Sequence, residues 1–149
     1  MQESIDDPLK TAIAQLEAGL VQSKADPENK IVRDGVILRF AYTMDIAVLS
    51  IRVLLRHFAP KKVRANAARP SLFLEAGRQG LLSNVENWLD YYMARAEILN
   101  AYNEEIAQAV FSQAERFLHD VKTLHETLKH GNFTYVLTTG KAFKKFWKK

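Results

Sequence analysis

The 149-residue chain contains no cysteine. That excludes a disulfide scaffold, a cysteine nucleophile, iron–sulfur clusters and thiolate zinc sites. Glycine and proline are scarce, at six and four residues, which argues against collagen-like, linker-rich or disordered organisation. No long apolar run occurs. The longest stretch free of Asp, Glu, Lys and Arg is residues 130–140, well short of the ~20 apolar residues that span a bilayer. The opening Met1-Gln2-Glu3-Ser4 lacks the basic-then-apolar pattern of a signal peptide, so a cytoplasmic soluble domain is expected. With 48% hydrophobic and 26% charged residues, the composition is that of an ordinary folded domain with a real core.

The net charge of +4 is unevenly placed. Five of the 21 Lys and Arg residues fall in the last nine positions, which carry no acid; the other 140 residues hold 16 bases against 17 acids. The body is close to neutral. A basic-charge argument for nucleic-acid binding therefore applies to the tail alone.

Apolar spacing is helical almost throughout. Asp7-Pro8 signals a helix start, a capping carboxylate followed by proline at the first helical position. Leu9, Ile13, Leu16 and Leu20 then share one face. Asp26-Pro27 closes that helix and opens the next, expected from about Glu28 to about His57. There Phe40, Met44, Ala47, Ile51, Leu54 and Phe58 alternate steps of four and three, and Val36, Ile37, Val48 and Leu55 widen the seam. So broad a stripe suits a central helix of a bundle. Residues 60–70 form a basic connector between two prolines. Ser71 is expected to cap a short helix ending near Gly77 or Gly80. Ser83 and Glu86 have capping-box spacing before a helix that turns Val85, Trp88, Leu89 and Tyr92 inward. Asn103 is expected to cap a last long helix whose inner face is Ile106, Val110, Phe117, Val121, Leu124 and Leu128, with His130-Gly131 as its C-cap. Residues 132–140 alone have strand-like composition and are read as an arm. The expected fold is all-α, an antiparallel four- to five-helix bundle over residues 1–131, followed by a C-terminal arm over 132–149.

Several chemistries are missing. There is no G-x-x-x-x-G-K-[ST] loop, no G-x-G-x-x-G and no H-E-x-x-H. No Gly-Ser dipeptide precedes paired aspartates, so the metal-binding core of a nucleotidyltransferase is not encoded. No Glu-x-x-His pair of the di-iron type occurs, and His119 and His125, six apart on a helix, do not share a face. No metal and no cofactor are expected.

The run Arg33-Asp34-Gly35-Val36-Ile37-Leu38-Arg39-Phe40-Ala41-Tyr42-Thr43 resembles the signature helix of the nucleotidyltransferase substrate-binding proteins, small helical bundles of the HEPN superfamily. That family places there an Asp, two or three apolar residues, then Gln-Arg-Phe-Glu and an aromatic. Asp34, Arg39, Phe40 and Tyr42 fit, while Leu38 and Ala41 replace Gln and Glu. Glu75-Ala76 through Gly80-Leu81-Leu82 resembles the family's next turn, and Trp88-Leu89-Asp90 its following helix. Arg95-Ala96-Glu97-Ile98-Leu99-Asn100-Ala101-Tyr102-Asn103-Glu104-Glu105 resembles the family's Arg-Asn-x-x-x-His-x-Tyr-[Asp/Asn]-Glu-Glu. The likeness spans roughly residues 8–128.

In active HEPN ribonucleases an Arg and a His, four to six residues between them, converge at a helix end. The Arg neutralises phosphate charge and the His moves a proton at the 2′-hydroxyl. Arg95 is retained, but Asn100 stands in the His position, and an amide exchanges no proton near neutral pH. Loss of such acid–base help costs about 10²–10⁴ in rate. The resemblance therefore implies a non-catalytic binding module that partners a separately encoded minimal nucleotidyltransferase, with homodimerisation and a degenerate toxin-type role in a toxin–antitoxin pair. Tyr102 keeps the place of a tyrosine that, in some family pairs, the partner modifies with AMP. Arg95, Asn100, Tyr102, Asp34 and Arg39 are the residues expected to face partner or nucleotide.

Blander readings compete at each position. Arg95 is a helix-end arginine satisfying carbonyls and Asn100 a helix breaker. Tyr102 is a half-buried tyrosine at the same turn. Asp34 and Arg39 are solvated or pairing charges, and Trp88, Tyr91 and Tyr92 are core and interface residues. Two further functions stand as alternatives. One is a metal-independent endoribonuclease using Arg95 with Asn100 or Tyr102. The other is a binder of RNA or an anionic surface through Lys141, Lys144, Lys145, Trp147 and Lys148.

Overall fold

The computed structural model describes residues 7–58 and 69–130. The arm and basic tail, with Lys141, Lys144, Lys145, Trp147 and Lys148, lie outside the described residues, as does the connector over 60–68. Five α-helices follow one another: α1 (Pro8–Ala25), α2 (Lys30–Phe58), α3 (Arg69–Arg78), α4 (Val85–Ala96) and α5 (Glu104–His130), with a short 3₁₀ turn at Ile98–Asn100. No strand occurs among the described residues. The fold is all-α.

Cross-helix pairs fix the directions. Thr43 reaches the Ala12 carbonyl and Arg39 the Gln15 carbonyl, so α1 and α2 are antiparallel. Asp7 meets His125 and Lys24 meets Glu115, so α5 is antiparallel to α1. Asn87 bonds Asp120 while Asp90 pairs with Arg116, so α4 is antiparallel to α5. Helices α2 and α5 run in the same direction, with Arg33 at Glu104 and Phe40 against Phe117.

The apolar stripes of α1 and α2 are buried as their spacing requires: Leu9, Ile13, Leu16 and Leu20 on one, and Phe40, Met44, Ala47, Ile51 and Leu54 on the other. On α5, Val110, Phe117, Val121, Leu124 and Leu128 are buried and Ile106 is half-buried. Four aromatic rings lock the centre. Phe40, Trp88 and Tyr91 each stand edge-on to Phe117, with ring centroids 4.9, 5.7 and 5.1 Å away, a geometry that adds to simple area burial.

Helix ends follow local hydrogen bonding. Asp7 caps α1 through the Lys10 amide at 3.0 Å, with Pro8 in the first turn. The second helix opens on Asn29 and not on Asp26-Pro27: the Asn29 side-chain oxygen accepts from the amides of Ile31 and Val32. Asn103 caps α5 in the same way, through Glu105 and Ile106. Two expected caps are corrected. Ser71 lies inside α3, which starts at Arg69 with Pro70 in its first turn, a place proline favours because its missing N–H would be unsatisfied anyway. Ser83 caps nothing, because α4 starts one residue later on Asn84, which makes no side-chain cap bond. Helix α3 stops where Gly80 adopts φ +80°. The Leu81 amide then returns to Ala76 O and the Gly80 amide to Gly77 O, the paired bonds of a left-handed C-terminal cap.

The inward face of α4 also differs in detail from the expectation. Trp88 and Tyr91 are buried, whereas Val85, Leu89 and Tyr92 pack half-buried against the core. Tyr91 turns inward because its hydroxyl has a partner there, donating to Asp120 Oδ2 at 2.5 Å.

Candidate functional site

The turn between α4 and α5 carries the Arg95–Asn103 motif. After Ala96 the chain tightens. Asn100 N bonds Glu97 O, Ala101 N bonds Ile98 O and Asn103 N bonds Asn100 O. Ile98 and Ala101 pack against the core, and the residue that follows each of them turns outward. Leu99 and Tyr102 are each 89% exposed. Tyr102 is thus a solvent-facing tyrosine and not the half-buried one of the blander reading.

Helix α2 holds both ends of this connector. At one end Arg95 makes a two-pronged contact with Asp45, Nε to Oδ1 at 3.0 Å and Nη2 to Oδ2 at 2.9 Å. Asp45 raises the pKa of Arg95 by hydrogen bonding and charge. The arginine serves a carboxylate fifty residues away, and not the carbonyls of its own helix end. At the other end Arg33 is buried and donates to Glu104 Oε1 at 2.5 Å, while its Nε and Nη2 donate to Asp34 Oδ1. The Glu104 hydrogen bond leads in raising the Arg33 pKa, and the Arg33 bond leads in lowering that of Glu104. The two anchors, Arg33 and Asp45, are twelve residues apart on α2, about 18 Å along its axis.

A concave pocket of ≈ 340 Å³ lies beside Arg95, with Met44, Val48, Tyr92 and Leu99 supplying apolar wall and Asp45 and Arg95 the charge. Asn100 is exposed and hydrogen-bonds Glu97 at 3.3 Å; it is not among the residues lining the pocket. Asp34 and Arg39 are not gathered there either. Asp34 is held by Arg33, and Arg39 reaches across to α1, donating to Gln15 O at 2.6 Å with its Cδ lying over Gly19. Trp88 and Tyr91 belong to the core, and Tyr92 reaches the pocket.

Sequence reasoning missed Asp45, Arg33 and Glu104. For Asp45 a signal existed: it is the only charged residue between Arg39 and Arg52. A lone carboxylate in an otherwise uncharged helical run marks a polar point on that face, though the run does not say what it meets.

The arrangement defines a class: a helical bundle presenting a charged pocket and a hydrogen-bonded turn at one edge. The chain belongs to the nucleotidyltransferase substrate binding protein like family, whose profile matches residues 7–130. In fold it is similar to a Haemophilus influenzae protein whose structure reveals the fold of a substrate binding domain of a nucleotidyltransferase. The TM-score is 0.74 at 24% sequence identity, covering 82% of this chain and 97% of that one. Among curated proteins none matches the chain. No helix of the described residues is long and apolar enough to cross a membrane.

Proposed function

We propose that the chain is a non-catalytic binding module that docks a separately encoded minimal nucleotidyltransferase, with the Arg95 pocket, Asn100 and Tyr102 turned toward the partner's nucleotide. The observation that carries this reading is the make-up of the pocket. It offers a guanidinium and apolar walls, and no imidazole lines it among the described residues. Such a site holds an anion beside an apolar group but lacks the usual proton shuttle of an RNA-cleaving pair. The described histidines stand on α5 and at the end of α2. Leu99, which lines the pocket, and Tyr102, three residues on in the same turn, supply exposed contact surface, and tyrosine is favoured as an interface anchor.

The two-chain logic follows from the sequence: this chain lacks the metal carboxylates and Gly-Ser loop that a nucleotidyltransferase partner brings. In this reading the chain is the degenerate toxin-type half of a toxin–antitoxin pair, and Tyr102, in solvent, is the acceptor if the partner transfers AMP. The module is a homodimer through the exposed α2 stripe of Ile31 and Leu38, one heptad apart and 84% and 63% exposed. Co-expression with the neighbouring nucleotidyltransferase tests the main claim. A stable complex is expected, and a chain that never co-purifies with it overturns the proposal. Mass spectrometry of the complex with ATP is expected to place any adenylylation on Tyr102 and to find none in Tyr102→Phe.

A further inference from the structure

Two arginines bound to carboxylates flank the α4–α5 turn, and their settings differ. Arg33 is buried, with 8% of its side chain exposed, so its carboxylate partners compensate a cation that the fold has taken out of water. Arg95 and Asp45 have 36% and 46% of their side chains exposed. Water reaches both groups, so the fold does not require this pair, and exposed pairs contribute little to stability. Yet the geometry is the best a guanidinium can make: two parallel N–H···O bonds to two oxygens. Among the described residues Arg95 is also the only cation lining the pocket. The same two-oxygen pattern is what a phosphate group presents to an arginine fork.

We propose that Asp45 is an internal competitor for the anion site of Arg95. It occupies the guanidinium fork in the free protein, and a phosphate-bearing ligand must displace it, or bind against its charge, to reach Arg95. This rests on the reading of the pocket as nucleotide-facing and adds its regulation. The ligand class follows from the pocket. A single weak oxyanion competes poorly with a carboxylate tethered in place. A polyphosphate brings more charge, and the walls formed by Met44, Val48, Tyr92 and Leu99 accept an apolar or aromatic group attached to it. Asp45 thereby sets a threshold, keeping the fork closed to solvent anions and opening it to a multiply charged one. Either mode of entry has the same consequence: removing the Asp45 charge strengthens anion binding.

The test is a titration of the full chain with inorganic pyrophosphate at about 0.1 M salt, followed at the Arg95 Nε–Hε resonance and by calorimetry. Wild type is expected to bind weakly. Asp45→Asn is expected to bind about tenfold more tightly, the scale of one strong charge-assisted contact released. The double variant Asp45→Asn/Arg95→Ala is expected to lose that gain. Glu115→Gln removes one negative charge at a distant exposed pair with Lys24 and is expected to change affinity by less than about twofold, since screening weakens charges beyond about 10 Å. Asp45→Ser serves as a second neutral variant should Asp45→Asn fold poorly. The proposal is overturned if the neutral variants bind no better than wild type, if the gain survives Arg95→Ala, or if Glu115→Gln gains as much. Co-purification is scored on the same proteins. A gain in pyrophosphate affinity without any complex overturns the partner reading alone, and a complex without the gain overturns the competitor alone.

Discussion

Glu104 and Tyr91 show how single residues couple this fold to its surroundings. The Glu104 carboxyl titrates below its usual range because Arg33 donates to it. A carboxylate whose folded pKa is depressed contributes stability that is complete above its unfolded pKa and lost as pH falls through the folded one. Glu104→Gln is therefore expected to lower the denaturation midpoint at pH 7, with the gap to wild type narrowing as pH falls below the ordinary Glu range of about 4.3, as urea titrations across the acid limb would show. Asp7 behaves alike. Burial pushes its carboxyl up, but hydrogen bonds from His125 and the Lys10 amide outweigh that and hold it low, so Asp7→Asn is expected to flatten the same acid limb. Tyr91 carries no such pH signature near neutrality. Burial and the Asp120 carboxylate push its hydroxyl far above the ordinary phenol range. Tyr91→Phe leaves Asp120, itself buried, with Asn87 as its remaining hydrogen-bond partner here, at an expected cost of about 1–2 kcal/mol readable by thermal melts. None of these pairings was legible in the sequence. Arg33 and Glu104 are 71 residues apart and Tyr91 and Asp120 are 29 apart. Periodicity names the face a residue occupies, not the polar atom waiting across it.

At the scale of elements the sequence was far more readable. Four-and-three spacing located the buried stripes of α1, α2 and α5, because a helix that buries one face must repeat its apolar residues with the helical period. Asn103 was legible as a cap because asparagine is a favoured N-cap residue and it stands immediately before the apolar-periodic run of α5. Asn103→Ala is expected to cost about 1 kcal/mol, measured as a loss in denaturant midpoint. Ser71 and Ser83 misled because each helix begins at a different residue: Pro70 fits the first turn of α3, and α4 begins after Asn84, which makes no side-chain cap bond. The α3–α4 junction offers a sharper test. A Cβ on Gly77 would sit 2.5 Å from Val85 Cγ2, nearer than any stable contact. Replacing a glycine by alanine gains at most about 1 kcal/mol in a helix interior, and Gly77 lies in the last turn, whereas overpacking costs about 1–3 kcal/mol. Because the obstacle is a β-branched side chain with few ways to yield, Gly77→Ala is expected to be net destabilising in a thermal melt.

For the molecule as a whole, the fold and family were legible because order and spacing of several weak motifs agreed over most of the chain. The site was legible in part. Arg95 was found and its pocket was not, since the pocket joins α2 to α4 and needs Asp45, fifty residues upstream. The exposed apolar side chains now give a whole-molecule prediction. Leu38→Asp is expected to keep the helical content of wild type, as a change at an exposed side chain of one chain should, while sedimentation shows the proposed homodimer shifted to monomer. Leu99→Asp is expected to leave the proposed homodimer intact and to abolish co-purification with the proposed nucleotidyltransferase partner.

The turn between α4 and α5 has a last consequence for association. With Ile98 and Ala101 sunk into the core and successive amides tied to carbonyls three residues back, the backbone beneath Leu99 and Tyr102 is already ordered. Whatever lands there has only two side-chain torsional sets left to freeze, about 0.5–1.5 kcal/mol apiece. An arriving surface meets two pegs standing on a fixed board, so recognition at this corner costs little in disorder and its selectivity rests on shape.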